Sequence, residues 1–335
     1  MYKIKKFILI LILLATLSVL GGCKKKDNEI VIAEVTHSVF YAPQYVAIEL
    51  NMFEEEGLNV SLINTNGADK TMAALLSKDA QIGLMGLEAS VYVYNGGQED
   101  YSVCFAQLTK RDGSFIVGRT KVENFTFDIF KGKEILGGRK GGMPLFILQY
   151  VLKKEGLDVG IDDPNKEVNI RTDIAFAAQA GAFVSGEADF TTLFEPTATS
   201  IEKAGNGFIV KGLGEFTESI PYTVYSTLKS YSQKNPEILE KFTKVINKAM
   251  KWVETHTAKE IAEVIHPQFL DTTLEDLEVV INNYKQIDAW CTNPLLEEEG
   301  YNLMLDIMKD ANELDKYVDY NKIVDTKYSE KYKWK

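Results

Sequence analysis

Cysteine and histidine are scarce, with three residues of each in a chain of 335. Cys23 lies near the N-terminus, so only Cys104 and Cys291 remain for redox chemistry, and two cysteines form neither a disulfide framework nor a structural zinc site. The sequence also lacks HExxH, CxxC and GxSxG motifs and any apparent Ser-His-Asp arrangement. We therefore expect a protein that is not an enzyme and that needs no metal and no cofactor.

Basic residues are outnumbered, since 37 Lys and Arg stand against 48 Asp and Glu and give a net charge of −11. Such an acidic chain repels polyanions, so a nucleic-acid partner is not expected. Long apolar runs are lacking too, because residues 7–20 fall short of the ~20 residues that a membrane-spanning helix needs. Lysines precede this run and small residues ending at Cys23 follow it, which indicates a lipoprotein signal peptide over residues 1–22.

Cys23 has a defined use at the end of such a signal peptide, because its thiol accepts a diacylglyceryl group. Residues 23–28 then form a short lipidated tether, and acyl chains contribute about 0.8 kcal/mol of membrane affinity per buried CH₂. This predicts a protein that is lipid-anchored to the cell membrane and faces its extracellular or periplasmic side.

Strand-like runs alternate with helix-like runs in the first part of the chain. A first helix is expected from Pro43 to just before Gly57. A second is expected from about Asp69, with Ala73, Leu75 and Leu76 on its apolar side. Such alternation predicts a parallel α/β sheet. The expected strands are residues 30–33, 60–63, 81–85 and 102–106.

Two short segments recur in the same order along the chain. Residues 56–60 are echoed by residues 155–159, and residues 76–82 by residues 184–190, each time as a helix end, a turn and a strand. Reuse of common α/β turns is one explanation, but the shared order favours two similar α/β lobes.

The lobes are expected to be joined by two crossovers, at residues 107–114 and 219–225. After residue 236 the pattern becomes helical, and this C-terminal segment is expected to pack back on the first lobe. Its predicted helices are residues 237–254, 258–266, 273–286 and 297–312.

Loops at the carboxyl ends of the strands are candidate ligand contacts, because ligands of α/β sheets collect there. Residues 137–144 are rich in glycine and lead into a helix, whose amides suit an anionic or carbonyl oxygen unless the run is a plain turn. Glu195 precedes a proline at a strand end, where its carboxylate suits an amidine-like or aminopyrimidine edge. Glu88 has nearly the matching place in the first lobe, with helix capping as the alternative.

Aromatic and basic side chains complete the candidate site. Tyr41 and Tyr222 are the favoured platforms for a planar ring, with Phe40 beside them. Arg111 lies at the outgoing crossover, where it either binds ligand or pairs with an acid. His37 is a candidate contact in a loop, where a solvated side chain is the alternative.

Residues 41–47, 51–60, 75–83, 130–133, 140–144, 188–189 and 194–196 form a combination similar to one known family. These segments resemble the substrate-binding proteins of ABC importers of the NMT1/THI5-like type, which bind pyrimidine precursors, sulfonates or nitrate. The similarity extends from about residue 30 to residue 225, and it is specific only in combination.

The resemblance implies a type II periplasmic-binding-protein fold, with two α/β lobes, a central cleft and a helical C-terminal segment packed on lobe 1. Lobe 1 then comprises residues 29–110 and 223–335, and lobe 2 comprises residues 111–222. The implied partners are a small-molecule ligand, an ABC permease with its ATPase subunits, and the membrane through the lipid anchor, for a monomeric protein. By motif position the cleft is lined by Tyr41, Asn66, Gly67, residues 86–90, Lys140, Gly141, Gly142 and Glu195.

Fungal pyrimidine synthases share this fold and supply the enzymatic alternative. They carry a histidine just before the proline that corresponds to Pro43, together with a Cys-rich iron motif, whereas this chain has Tyr41 there and no cysteine cluster. The ligand ranked first is a nitrogen heterocycle such as a thiamin pyrimidine precursor, because Glu195 lies among tyrosines. A sulfonate, riboflavin or another small anion is the alternative, since Lys140 and Arg111 suit an anion.

Overall fold

The computed structural model describes residues 29–333. The expected signal peptide, the lipidation site at Cys23 and the rest of the tether to residue 28 lie outside these residues. Within the described chain, no helix has both the length and the apolar character that crossing a membrane requires.

A first sheet contains five strands in the order β2-β1-β3-β11-β4. The strand β1 pairs in parallel with β2 and β3, whereas β11 runs antiparallel to β3 and β4. All four predicted strands are confirmed and run in the same direction, and β11, in a region expected to be a crossover, adds an antiparallel strand between β3 and β4. This strand returns from the second half of the molecule and does not follow a helix of its own sheet. The strand bounds are β1 (Glu29–Glu34), β2 (Asn59–Asn64), β3 (Ile82–Met85), β4 (Ser102–Thr109) and β11 (Thr223–Leu228).

A second sheet contains six strands in the order β10-β5-β9-β6-β8-β7. Within it β6 pairs in parallel with β8 and β9, and β5 runs antiparallel to β9 and β10. The series β8-β6-β9-β5-β10 therefore repeats the first sheet strand for strand, and β7 is added at the edge. The bounds are β5 (Ser114–Gly118), β6 (Lys133–Leu136), β7 (Val159–Ile161), β8 (Val168–Arg171), β9 (Phe190–Phe194) and β10 (Phe208–Gly212).

Between residue 29 and the return crossover, seven helices are described. They are α1 (Ala42–Glu49), α2 (Met52–Glu55), α3 (Ala68–Leu76), α4 (Glu88–Asn95), α5 (Met143–Lys154), α6 (Gln179–Val184) and α7 (Thr197–Lys203). The single helix expected from Pro43 to Gly57 was wrong, because Asn51 has φ 55° and separates α1 from α2. The apolar side predicted for α3 was also partly wrong. Leu75 is buried, but Thr71 and Met72 share that side while Ala73 and Leu76 are exposed.

Six helices follow the return crossover, and the helical C-terminal segment is confirmed. They are α8 (Lys229–Lys234), α9 (Pro236–Thr255), α10 (Ala258–Ile265), α11 (Leu274–Gln286), α12 (Glu298–Asp310) and α13 (Tyr320–Ile323). Helices α9 and α10 pack on α1, and α9 also contacts β4, as expected for packing on the first sheet. The segment also reaches the second sheet, because α12 contacts α5 and the backbone N–H of Glu195 donates to the Tyr284 hydroxyl at 3.1 Å.

The chain passes from the first sheet to the second between Thr109 and Ser114, and it returns between β10 and Thr223. We call each sheet with the helices packed on it a lobe. One large cluster of buried apolar side chains runs through both lobes, and a smaller cluster lies beneath α3 and α4.

The sequence echo corresponds to the same turn in the two lobes. Gly57 and Gly156 both have left-handed backbone conformations, at φ 74° and 87°. The next residue closes each turn, since the Leu58 N–H donates to the Phe53 carbonyl at 2.9 Å and the Leu157 N–H to the Leu152 carbonyl at 3.1 Å. Glycine adopts this conformation without a steric penalty, which explains why it recurs.

Candidate functional site

A cleft lies between the two sheets, at the carboxyl ends of their parallel strands. Loops after β1, β2 and β3 form one wall, and loops after β6, β8 and β9 form the other. The start of β11 closes the back with Tyr222 and Thr223. Because equivalent loops face each other, any molecule in this cleft contacts both lobes.

The loops after β1 and β2 contribute Tyr41, Asn66 and Gly67 to the first wall. Tyr41 ends a short 3₁₀ turn that Ser38 caps, because the Ser38 hydroxyl accepts the Phe40 N–H at 3.2 Å. Gly67 starts α3 at φ 157°, and a Cβ there would lie 2.6 Å from Oδ1 of Asp69. The turn therefore keeps the start of α3 open to the cleft.

Glu88 is the first residue of α4 and lines the cleft with a buried carboxyl group. It is 2% exposed, and its Oε2 atom has no hydrogen-bond partner among the described residues. Burial raises the pKa of this carboxyl to about 7, although the amides of Glu88 and Met143 and the charge of Arg139 act in the opposite direction. A Cβ on Gly86 would lie 1.9 Å from Oε2, so the carboxyl folds back over this glycine.

The glycine-rich run forms part of the second wall, where Gly142 precedes α5. Gly141 lines a neighbouring space that we call the outer hollow, on the far side of Glu88. Lys140 lines neither space and its side chain points to solvent, whereas the adjacent Arg139 lines both. The run thus offers the α5 amides and one guanidinium to the cleft.

Aromatic rings cover much of the cleft surface, from Tyr41, Tyr222, Phe176 and Phe194. Phe40 does not line it, because its ring is fully buried behind these side chains. Ring centroids of Tyr41, Phe194 and Tyr222 lie 5.4 to 5.6 Å from that of Phe40. Phe40 therefore supports the aromatic surface from the core side.

Arg111 also lies outside the cleft, since its guanidinium contacts the return crossover at Thr217 and the residue Asp288 after α11. It donates to the Thr217 carbonyl, and its Nε lies 3.7 Å from Oδ2 of Asp288. Tyr222 does line the cleft, and its hydroxyl lies beside the buried carboxyl group of Asp112. Behind it, burial raises the pKa of the Asp112 carboxyl to about 6.

Glu195 and His37 lie together in a second space that we call the side hollow, which shares Phe176 and Phe194 with the cleft. The Glu195 carboxylate is 1% exposed and fully engaged. It accepts the Thr199 N–H at 2.9 Å, the Thr199 hydroxyl at 2.7 Å and the Asn283 amide at 2.7 Å. Burial raises the Glu195 pKa and these hydrogen bonds oppose that rise. Glu195 thus caps α7.

The His37 imidazole contacts two acceptors, Glu34 Oε1 at 2.7 Å from Nδ1 and the Gln268 carbonyl at 2.9 Å from Nε2. Only the doubly protonated ring donates to both. The hydrogen bond to Glu34 raises the His37 pKa, consistent with that state. Both ring nitrogens of His37 therefore have partners within the protein.

Several lining residues were not singled out from the sequence. Arg139 and Met143 belong to the glycine-rich run and Phe194 adjoins Glu195, so all three lie within or beside segments that were predicted to contact the ligand. Phe176 follows β8, the counterpart of β2, and only the strand-by-strand equivalence of the lobes would have identified it. The lining residues that were not named individually are Val35, Thr36, Arg139, Met143, Pro144, Phe176, Phe194 and Thr223.

Comparison with known proteins identifies relatives of this arrangement. Residues 32–266 match the profile of the NMT1-like family. A Bacillus subtilis (strain 168) protein named Putative binding protein YtlA is 44% identical over 314 residues, which cover 93% of this chain and 92% of that protein.

Solved structures confirm the periplasmic-binding fold. The ligand-binding component of an ABC-type import system from Staphylococcus aureus, with zinc bound, superimposes with a TM-score of 0.73 at 13% identity, over 90% of this chain and 97% of that one. The alkanesulfonate-binding protein SsuA from Xanthomonas axonopodis pv. citri, bound to MOPS, gives 0.68 at 14% identity, over 89% and 98%. The nitrate-binding protein NrtA from Synechocystis PCC 6803 gives 0.67 at 13% identity, over 89% and 86%.

Proposed function

The chain belongs to the NMT1-like family, and from this premise we propose that it is the solute-binding component of an ABC importer. The observation that carries the proposal is the cleft, whose walls come from equivalent loops of two lobes. A ligand bound there favours the closed arrangement by contacting both lobes, and closure gives a permease a surface that reports occupancy. The name of the Bacillus subtilis relative and the import proteins of the same fold support this role.

For the ligand we propose a small planar nitrogen heterocycle of the thiamin-precursor kind. Tyr41, Tyr222, Phe176 and Phe194 provide faces for offset stacking on a ring. Glu88 provides a buried carboxyl oxygen that lacks a partner, and an amino group on the ring edge would satisfy it. Glu195, the carboxylate first expected in this role, is already occupied by three donors.

We further propose that lobe 1 comprises residues 29–110 and 223–335 and lobe 2 residues 111–222, with an anchor at Cys23. The boundaries fall in the two crossovers of the described chain. Replacing Cys23 with serine should abolish incorporation of labelled fatty acid and release the protein from membranes after fractionation. A Cys23→Ser protein that stays membrane-bound would contradict the anchor.

Calorimetric titration of the purified full chain tests the binding function. We expect saturable binding of one class among aminopyrimidines, flavins, sulfonates, nitrate and amino acids, with stabilisation of about 2.7 kcal/mol at 100 times Kd. The ligand should be recovered chemically unchanged after denaturation of the protein. Formation of a product, as in the pyrimidine-synthase alternative, would contradict a binding protein, and binding of sulfonate or nitrate alone would contradict the heterocycle.

A further inference from the structure

Glu88 lines the cleft together with Arg139 and with Met143, the first residue of α5. Its carboxyl group lies close to the start of that helix, since a Cβ on Gly86 would be 1.9 Å from Oε2 of Glu88 and 2.6 Å from Cγ of Met143. Helix amides and a guanidinium are the groups that would otherwise attract a sulfonate or nitrate. In this chain the buried carboxyl group of Glu88 lines the cleft beside them.

Acidic side chains surround the one guanidinium of this region. Within the described chain, Glu88 and Arg139 are the charged residues that line the cleft. Nε of Arg139 lies 3.7 Å from Oδ1 of Asp69, and Glu313 joins them in the outer hollow. A small anion entering the cleft would therefore meet a buried carboxylate without a surplus of positive charge to offset the repulsion.

The unpartnered Oε2 of Glu88 indicates what the cleft accepts instead. A buried carboxyl oxygen without a hydrogen bond is destabilising, and a ligand that donates to it removes that penalty. A neutral N–H or O–H supplies this donor without bringing a charge into the cleft. The adjoining rings of Tyr41 and Tyr222 favour a flat molecule around that donor.

We propose that Glu88 determines the ligand class of this cleft, selecting neutral molecules that donate an N–H or O–H group and excluding small anions. The inference rests on the solute-binding function proposed above. It separates this chain from proteins of the same fold whose ligands are an alkanesulfonate or nitrate.

The test is calorimetry on the full chain at pH 8 with three probes, the neutral 4-amino-5-hydroxymethyl-2-methylpyrimidine, ethanesulfonate and nitrate. Glu88→Gln keeps the side-chain shape but removes the charge. We expect it to weaken pyrimidine binding about tenfold and to strengthen ethanesulfonate binding at least about tenfold, because one charged hydrogen bond is replaced and one repulsion removed. Glu263→Gln, which removes an exposed charge from α10 outside the cleft, should change either affinity by less than about twofold.

The possible outcomes distinguish a failure of this inference from a failure of the proposed solute-binding function. Tight binding of ethanesulfonate or nitrate by the unaltered chain overturns the inference while leaving solute binding intact. Pyrimidine binding that Glu88→Gln leaves unchanged also overturns it. If the unaltered chain binds no probe, the heterocycle proposal fails, and a gain of anion binding in Glu88→Gln still supports the inference while its lack overturns it. Should circular dichroism show that Glu88→Gln is unfolded, Glu88→Ala is measured against the same criteria.

Discussion

Glu88 and Glu195 follow equivalent strands of the two lobes, β3 and β9, yet their carboxyl groups have opposite environments. Glu195 accepts three hydrogen bonds and caps α7, whereas Glu88 starts α4 and leaves Oε2 unpartnered. The difference arises from neighbours, because Thr199 and Asn283 are placed to donate to Glu195. The repeated topology thus places a glutamate at equivalent positions in the two lobes. The hydrogen-bond donors around each carboxyl then determine whether it stabilises the fold or remains available to a ligand.

The largest expected effect is a difference in the free energy of unfolding between variants of Glu195 and Glu88. Glu195→Ala leaves the Thr199 N–H, its hydroxyl and the Asn283 amide without their acceptor, so we expect a loss of about 3 to 4 kcal/mol in the free energy of unfolding. Glu88→Ala removes a buried carboxyl of which one oxygen, Oε2, has no partner among the described residues, and it should cost less, about 1 kcal/mol. Urea unfolding monitored by circular dichroism measures both. Equal losses for the two variants would contradict the contrast.

A pH dependence sharpens the same comparison. Because the folded-state pKa of Glu88 is raised from 4.5 to about 7, its contribution to stability is complete below pH 4.5 and is lost as the pH rises through 7. We expect the unaltered chain to lose about 2 to 3 kcal/mol more between pH 5 and pH 8 than Glu88→Gln does. Urea unfolding of both proteins at the two pH values gives this difference. His37 and Asp112 titrate in the same direction in both proteins and therefore cancel.

Matched glycines test whether the lobes are equivalent at the echoed turn. Gly57 and Gly156 have positive φ and no atom within 4 Å of an added Cβ, so each substitution by alanine should cost about 1 kcal/mol from backbone strain alone. Gly181 in α6 also has open space but no positive φ, and Gly181→Ala should be neutral or slightly stabilising. Unfolding midpoints of the three variants decide the matter, and clearly unequal costs at Gly57 and Gly156 would argue against equivalence.

The smallest expected effect concerns the ends of α3 and α6. Leu76 and Val184 occupy echoed positions and are 36% and 44% exposed. Replacing either by serine should change the free energy of unfolding by less than about 0.5 kcal/mol, since surface substitutions away from special features have little effect. A larger loss at one position, seen by thermal unfolding, would show that the lobes differ there in packing.

Local sequence patterns predicted most helices and strands, but they did not predict the break at Asn51 or the direction in which β11 pairs. The four strands, the C-terminal helices and the two crossovers were predicted because hydrophobic periodicity and turn residues are local properties. The break at Asn51 was missed because the left-handed conformation of asparagine leaves no periodic trace. The antiparallel direction of β11 was missed because it depends on the path of the whole chain between the crossovers.

The candidate site shows the same division between local and distant information. The loops that line the cleft follow strand ends, so the positions of Tyr41, Asn66 and Gly142 at the cleft could be predicted from the sequence, whereas their contact with a ligand stays a prediction. The engagement of Glu195 could not be found, because one of its donors, Asn283, lies 88 residues away. Side-chain roles that depend on such contacts require the fold.

Three hydrogen bonds across the lobes converge on Glu195. The Ser38 hydroxyl donates to its carbonyl at 2.7 Å, its N–H donates to Tyr284, and Asn283 donates to its carboxylate. None of these bonds involves a ligand, so they favour contact between the lobes even when the cleft is empty. In the proposed import role, the strength of these bonds would set how often a protein without ligand presents the closed arrangement to a permease.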